Sequence, residues 1–302
     1  MRITRGVRVT AKRIVLHGVE GIGKSTLVSQ FPNPLVLDTE DGTNNIDVAR
    51  VRCDDYLTLE GSLHELARDA QGFQTIVIDS IDWAERQMVD HLLRKSGKQS
   101  IEDFGFGKGW VMVGESMAKL LDVCDTLIDR GLNVVLVGHT KVAKTNPPDM
   151  DEGYDRYELK LTKHSAPIVK EWADAILFAN YKTRLVEGDD GRVRARGGKE
   201  RVLHAERTAA WDAKNRFGLP AELPMTAEAL APLFAGVTPA PAARAGWLDR
   251  VRAATTVEEL GQIADEADKA VTAGDLTESQ RNKLDGEINK RHEQIDPQEV
   301  TA

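Results

Sequence analysis

The sequence is poor in cysteine: Cys53 and Cys124 are all it has in 302 residues. Two thiols make neither a disulfide framework nor, by themselves, a zinc site, and such sparing use fits a reducing cytoplasm. Long hydrophobic runs are missing too. No apolar stretch approaches the roughly 18 residues of a membrane span. The first apolar run, residues 14–16, stops at His17 and is too short for the core of a signal peptide. Internal repeats and low-complexity blocks are absent. So is any net basic charge: 40 Lys and Arg stand against 48 Asp and Glu, a formal charge of −8, which at first argues against a nucleic-acid partner. The distribution changes that reading. Residues 247–302 hold 7 basic and 13 acidic side chains, so most of the acidity lies in the tail, while Arg2, Arg5, Arg8, Lys12 and Arg13 cluster with no acid between them. A local basic patch matters more to phosphate contact than net charge does, although a solvated surface strand reads the same way.

What is present is a soluble globular composition, 41% hydrophobic and 29% charged, in a chain longer than one usual domain. Short β-branched runs at 14–16, 35–38, 75–79 and 133–137 read as buried strands. Between the last two, Met117, Leu120, Leu121, Cys124, Leu127 and Ile128 recur at three- and four-residue steps, marking an amphipathic helix that can cross over between parallel strands. Residues 182–186 and 201–206 flank Gly188-Asp189-Asp190-Gly191, a hairpin signature. Residues 237–246 combine two prolines with small residues and read as a linker. Beyond it Leu248, Val251, Val257, Leu260, Ile263, Ala264 and Ala267 form one helical stripe, and Leu284, Ile288 and Ile295 another. Thr256 with Glu259, and Thr277 with Gln280, have capping-box spacing. The expected division is a core at 1–236, a linker at 237–246 and an acidic helical hairpin at 247–302.

The motif with the sharpest chemistry is Gly18-Val19-Glu20-Gly21-Ile22-Gly23-Lys24-Ser25-Thr26. It satisfies G-x-x-x-x-G-K-[ST] between a strand and a helix, the pattern of a P-loop. Phosphates need closely packed backbone N–H donors, so glycines must let the chain wrap around them. Lys24 is expected to reach the β- and γ-phosphates of ATP and Ser25 to ligate Mg²⁺. Strand 75–79 ends in Asp79, the carboxylate that a Walker-B element turns toward the same Mg²⁺. Hydrolysis also needs a group to orient or deprotonate water. Asp38, Glu40 and Asp41 compete for that role, and alternation puts Asp38 and Glu40 on one side.

Taken in order, the P-loop with its Glu20, then Asp38-Thr39-Glu40, then Asp79-Ser80, resembles the RecA-like recombinase core. Phe104-Gly105-Phe106-Gly107-Lys108-Gly109-Trp110, the strand ending at His139, and Lys214-Asn215-Arg216-Phe217-Gly218 resemble phage-encoded RecA-like ATPases, a group that includes single-strand annealing recombinases. The resemblance spans roughly residues 10 to 235. It implies an α/β fold, a RecA-like P-loop ATPase core with a mainly parallel sheet flanked by helices, followed here by the α-helical hairpin. It implies further that Glu40 activates water and that His139 senses the γ-phosphate, where RecA itself has Gln. A neutral imidazole offers one hydrogen bond for that task, and a structural histidine at a strand end is the alternative. Lys214 and Arg216 would reach across to a neighbouring subunit's nucleotide; a pair of surface charges is the alternative. For single-stranded DNA the candidates are Lys98, Phe104, Phe106, Lys108 and Trp110 in one loop and Lys141 and Lys144 in a second, the latter mixed with the acids Asp149, Asp151 and Glu152. The aromatics could instead be tucked into the core. The implied partners are single-stranded DNA, further copies of the chain in a ring or filament and, through the hairpin, a single-strand binding protein, with no membrane. The expected function is an ATPase acting in annealing or strand exchange. The rivals are a ring helicase or other DNA motor, although no primase-binding or loading domain is evident, and an ATP-gated clamp with little turnover. A nucleotide kinase is disfavoured because no arginine-rich lid lies between Asp79 and His139.

Overall fold

In the computed structural model, which describes Gly6 and residues 10–146, 152–187, 193–236, 250–252, 254–273 and 278–295, the apolar runs become the middle of a ten-stranded sheet. The strands are β1 (Arg13–Gly18), β2 (Pro34–Asp38), β3 (Ala49–Arg52), β4 (Thr75–Asp79), β5 (Asn133–Thr145), β6 (Tyr154–Leu159), β7 (Ala175–Glu187), β8 (Val193–His204), β9 (Lys214–Asn215) and β10 (Glu222–Pro224). Their order is β10-β8-β7-β1-β5-β4-β2-β3, with β6 on β5 and β9 on β7. From β7 to β3 every neighbouring pair is parallel; β6, β8, β9 and β10 join antiparallel.

Alternation divides these strands between two cores. Val15, Leu37, Ile76, Ile78, Val134 and Leu136 face one layer of helices: α2 (Tyr56–Arg68), α3 (Ile81–Ser96), α4 (Lys108–Asp129) and α5 (Ser165–Trp172). Ile14, Leu16, Val36, Val77, Val135 and Val137 face the other layer, where α1 (Lys24–Val28) and α6 (Ala227–Phe234) contribute Leu27, Val28, Leu230 and Leu233. The expected stripe from Met117 to Ile128 lies on α4 and is buried throughout. The fold is therefore a mostly parallel sheet flanked by helices. Because the parallel strands point one way, their carboxyl ends share an edge. The register sets Asp38 beside Asp79, Asp79 beside Val137, and Gly18 beside His139.

Two elements differ from expectation. β5 runs past Val137 to Thr145, because beyond His139 it leaves the parallel sheet and pairs with β6 alone. The hairpin is longer on both arms than its apolar residues suggested, since β7 begins at Ala175 and β8 at Val193. Its turn, Gly188 to Gly191, lies outside the described residues.

Contacts divide the chain into Met1–Ala240 and Pro241–Ala302. In the second unit α7 (Val257–Ala273) and α8 (Glu278–Ile295) bury Leu260, Ile263, Ala267, Leu284 and Ile288 together with Val251 and Ala254. Glu259 N–H donates to Thr256 Oγ1 at 3.2 Å and Thr256 N–H to Glu259 Oε2 at 3.3 Å, a reciprocal cap. The linker at 237–246, Leu248 and Thr277 lie outside the described residues. Among those described, no helix is long and apolar enough to cross a membrane.

Candidate active site

The loop after β1 is shaped by close approach. A Cβ on Gly18 would stand 2.4 Å from the Ala179 carbonyl oxygen of β7, so no larger residue lets these strands pair as they do. Gly21 and Gly23 have φ of +71° and +99°, the left-handed region that favours glycine. Ile22 is fully buried and pins the loop from within, while Glu20, Gly21 and Thr26 are exposed at its lip. Lys24 is buried, and its Nζ donates to the Gly18 and Val19 carbonyls at 3.1 and 3.2 Å, closing the loop on itself. Burial pushes the Lys24 pKa down, against the pull of Asp79, Asp82, Glu40 and Glu20.

Asp79, at the end of β4, is 3% exposed. Burial raises its pKa, and a hydrogen bond from Ser25 opposes that rise. Its Oδ2 is buried with no hydrogen-bond partner. An orphaned carboxylate oxygen beside a hydroxyl fits a divalent cation. Among the described residues no group of three or more His, Cys, Asp or Glu side chains is placed to hold a metal ion, so water and phosphate oxygens would complete the shell.

The three acids after β2 separate by environment. Asp38 accepts from Glu40 N–H and Gly42 N–H at 3.2 Å each, from Thr43 N–H at 3.0 Å and from the Thr43 hydroxyl at 2.5 Å. Burial alone would raise its pKa, but these bonds hold the carboxyl below its ordinary value. Asp38 is a turn cap, and the expected alternation ends there: the chain reverses through Asp41, whose φ is +61°. Asp41 pairs with Arg52 at 3.4 Å, both largely exposed. Glu40 is half-buried and turns toward the end of β4, with Oε2 3.5 Å from Ser80 Oγ. Burial raises its pKa; His139 opposes, and Asp79, Asp82 and Asp38 add to the rise.

Thr39 explains why Glu40 sits beside Asp79. Its N–H donates to the Asp79 carbonyl at 2.8 Å, its hydroxyl donates to the Ser80 carbonyl at 2.9 Å, and it accepts Ser80 N–H at 2.7 Å. Gln87 on α3 donates to the Thr39 carbonyl at 3.2 Å. His139 is held by Asp82 in the first turn of α3, with Nδ1 2.9 Å from Asp82 Oδ2. Arg201 on β8 donates from Nη1 to the Ile22 carbonyl at 3.0 Å. It lines, with Gly23, Thr26, Gln30, Met225 and Glu228, a cavity of about 420 Å³ beside the P-loop. Thr39, Asp82 and Arg201 are the contributors that the sequence did not reveal. Thr39 lies inside a noted motif, but nothing in sequence marks Asp82 or Arg201.

The structure thus brings together Lys24, Ser25, Asp79, Glu40 and His139. It does not bring Lys214 and Arg216 to them. Lys214 Nζ donates to the Lys170 and Glu171 carbonyls, and Arg216 pairs with Asp174 at 3.0 Å. Asp174 N–H in turn donates to the Arg13 carbonyl. The pair therefore sits at the opposite end of the sheet, separated from the P-loop by the length of β1 from Arg13 to Gly18, roughly 17 Å.

The second group of candidates is also split. Phe104 and Trp110 pack against the core, and Lys98 lies over the Phe104 ring at 5.2 Å while donating to the Asp103 carbonyl. Their apolar area is partly withdrawn from solvent. Phe106 is 105% exposed at φ +48°, flanked by Gly105 and Gly107 at +71° and +72°, with exposed Lys108 after it. Lys141 donates to the Leu161 carbonyl at 2.6 Å and stands across from Glu158; Lys144 stands across from Asp155. Of the N-terminal basic cluster, Lys12 lies over Phe217 and Arg13 pairs with Asp125 at 2.7 Å. Arg2, Arg5, Arg8, Asp149 and Asp151 lie outside the described residues.

A family model described as an AAA domain matches residues 10–217. No curated protein matches the chain.

Proposed function

The chain belongs to the AAA domain family and is an AAA-type P-loop ATPase; we propose that it hydrolyses ATP with Mg²⁺ in the service of single-stranded DNA, promoting annealing or strand exchange like the phage-encoded recombinases it resembles. The observation that carries the hydrolytic part is the meeting of Lys24, Ser25, Asp79, Glu40 and His139 at one sheet edge. Lys24 exchanges the Gly18 and Val19 carbonyls for phosphate oxygens. Ser25 and Asp79 would hold Mg²⁺, which when bound would neutralise phosphate charge. Glu40, kept close to Asp79 by Thr39, takes the proton of the attacking water, and His139 faces the terminal phosphate.

Phe106 supports the DNA part. An aromatic ring fully in solvent between two glycines, next to an exposed lysine, is suited to stacking on an unpaired base. Assembly is the further part of the proposal: Lys214 and Arg216, too far to serve their own P-loop, leave the Lys170 and Glu171 carbonyls and Asp174 to complete the site of a neighbouring copy. The same placement would serve a ring motor, which strand-displacement assays separate from annealing. The acidic hairpin is assigned to a partner such as a single-strand binding protein.

The test is steady-state ATP turnover with and without single-stranded DNA, paired with annealing of complementary oligonucleotides. Stimulated turnover and faster annealing are expected. Turnover indifferent to DNA, with no annealing, would remove the DNA part and leave the ATPase standing.

A further inference from the structure

His139 is held at three atoms. Its backbone N–H donates to Asp82 Oδ1 at 3.0 Å, its ring Nδ1 lies 2.9 Å from Oδ2 and 3.1 Å from Oδ1, and its carbonyl accepts Lys160 N–H at 2.9 Å. The Asp82 and His139 side chains are only 8% and 16% exposed, so water does not compete freely for either. Burial would raise the Asp82 pKa, but the bonds from the His139 ring and backbone hold it below the ordinary carboxylate value. Asp82 is therefore an ionised acceptor with no proton to give, and Nδ1 must carry the hydrogen between them. A neutral imidazole has one N–H. Spent on Asp82, it leaves Nε2 as a bare lone pair.

We propose that Asp82 is a positioning residue that makes His139 a charge-dependent nucleotide sensor: with Nδ1–H committed to Asp82, Nε2 donates to a terminal phosphate only when the ring carries its second proton. This rests on the reading that His139 faces the phosphates, and it replaces the expectation that a neutral ring suffices. A neutral ring in this geometry would set a lone pair against phosphate oxygen, which is repulsive. The charged groups acting on the ring are Asp82 on α3, Glu40 after β2, Asp79 at the end of β4 and Lys24 in the P-loop. The bond to Asp82 is the largest influence and, against burial and Lys24, raises the His139 pKa above its ordinary value. The sensor is thus charged at low pH and loses its second proton as pH rises through that raised value.

The test has two independent readouts. In the nucleotide-free protein, ¹⁵N and ¹³C NMR of the His139 ring should show the Nδ1–H tautomer when neutral and a midpoint above about 6.5. Asp82→Asn keeps an oxygen to accept both N–H groups and removes the charge, so the midpoint should fall. In the second readout, wild-type affinity for ATP should drop roughly tenfold or more as the ring loses its second proton, the loss of one charge-assisted hydrogen bond. That limb should move to lower pH in Asp82→Asn and vanish in His139→Gln, whose amide donates without titrating. An Nε2–H tautomer, an Asp82→Asn midpoint equal to wild type, or a limb that survives in His139→Gln would overturn the proposal. The wild-type titration decides the tautomer even if a variant fails to fold. ATP binding undiminished in Lys24→Ala would refute the nucleotide reading itself, and the NMR result would stand apart from it.

Discussion

Asp38 and Glu40 carry the same charge two residues apart, and their surroundings give them opposite tasks. Four hydrogen bonds fix Asp38 as an anion that caps a turn, whereas burial makes Glu40 easier to protonate. Replacing Thr43 with Val removes the hydroxyl on Asp38, and a bond to a buried charge is worth about 1.5 to 3 kcal/mol. Urea unfolding should show a loss of that order. The lowered Asp38 pKa stabilises the fold above the unfolded value of about 3.9, and that contribution should disappear as pH falls through the folded value. In its proposed role Glu40 behaves in the other sense: a base must be ionised, so turnover should climb as pH rises through its raised pKa. Glu40→Gln keeps the shape and should keep ATP bound while turnover falls by about 10²- to 10⁴-fold. Turnover equal to wild type would move the water-activating role to another group.

At the level of elements, legibility followed burial. β4 was readable to its last residue because all five of its side chains are buried. β3, Ala-Arg-Val-Arg at the sheet edge, carries exposed arginines and gives no apolar signal. The second half of β5 was hidden for a related reason: past His139 none of its side chains is fully buried and only β6 sets its course. The P-loop and Asp79 could be named from spacing and a strand end, whereas Asp38, Glu40 and Asp41 stay in competition on the residues alone and only the resemblance singles out Glu40. Asp82 and Arg201 could not be named: Asp82 follows Asp79 by only three residues, but its partner His139 comes from β5, and Arg201 reaches the Ile22 carbonyl from β8. The loop between α3 and α4 offers a direct check. Phe106 touches solvent alone, so Phe106→Ala should leave the thermal midpoint unchanged. If the ring stacks on a base, the substitution should weaken single-stranded DNA binding by about 1 to 3 kcal/mol, roughly five- to a hundredfold. Gly18→Ala should do the reverse of sparing the fold. Its methyl meets the Ala179 carbonyl, and overpacking of this kind costs about 1 to 3 kcal/mol.

For the whole molecule, the separate core of Pro241–Ala302 predicts that a chain ending at Ala240 keeps its ATPase activity; collapse of turnover in a folded truncation would refute that independence. If Lys214 and Arg216 act in trans, as proposed, complementation follows. Arg216→Ala and Glu40→Gln proteins should each be nearly inactive, and mixing them should restore part of the turnover, because an intact Glu40 then meets an intact arm. Mixtures that stay at the level of their separate activities, where mixed oligomers form, would leave these cations a surface role. The separation of the arm from its own P-loop also sets a counting rule. Units joined head to tail in an open run of n copies complete n − 1 sites and waste one at the terminus, while a closed ring completes all n. Stoichiometry of a tightly held transition-state analogue, measured against assembly length, would therefore reveal whether the ends of the assembly are free or joined.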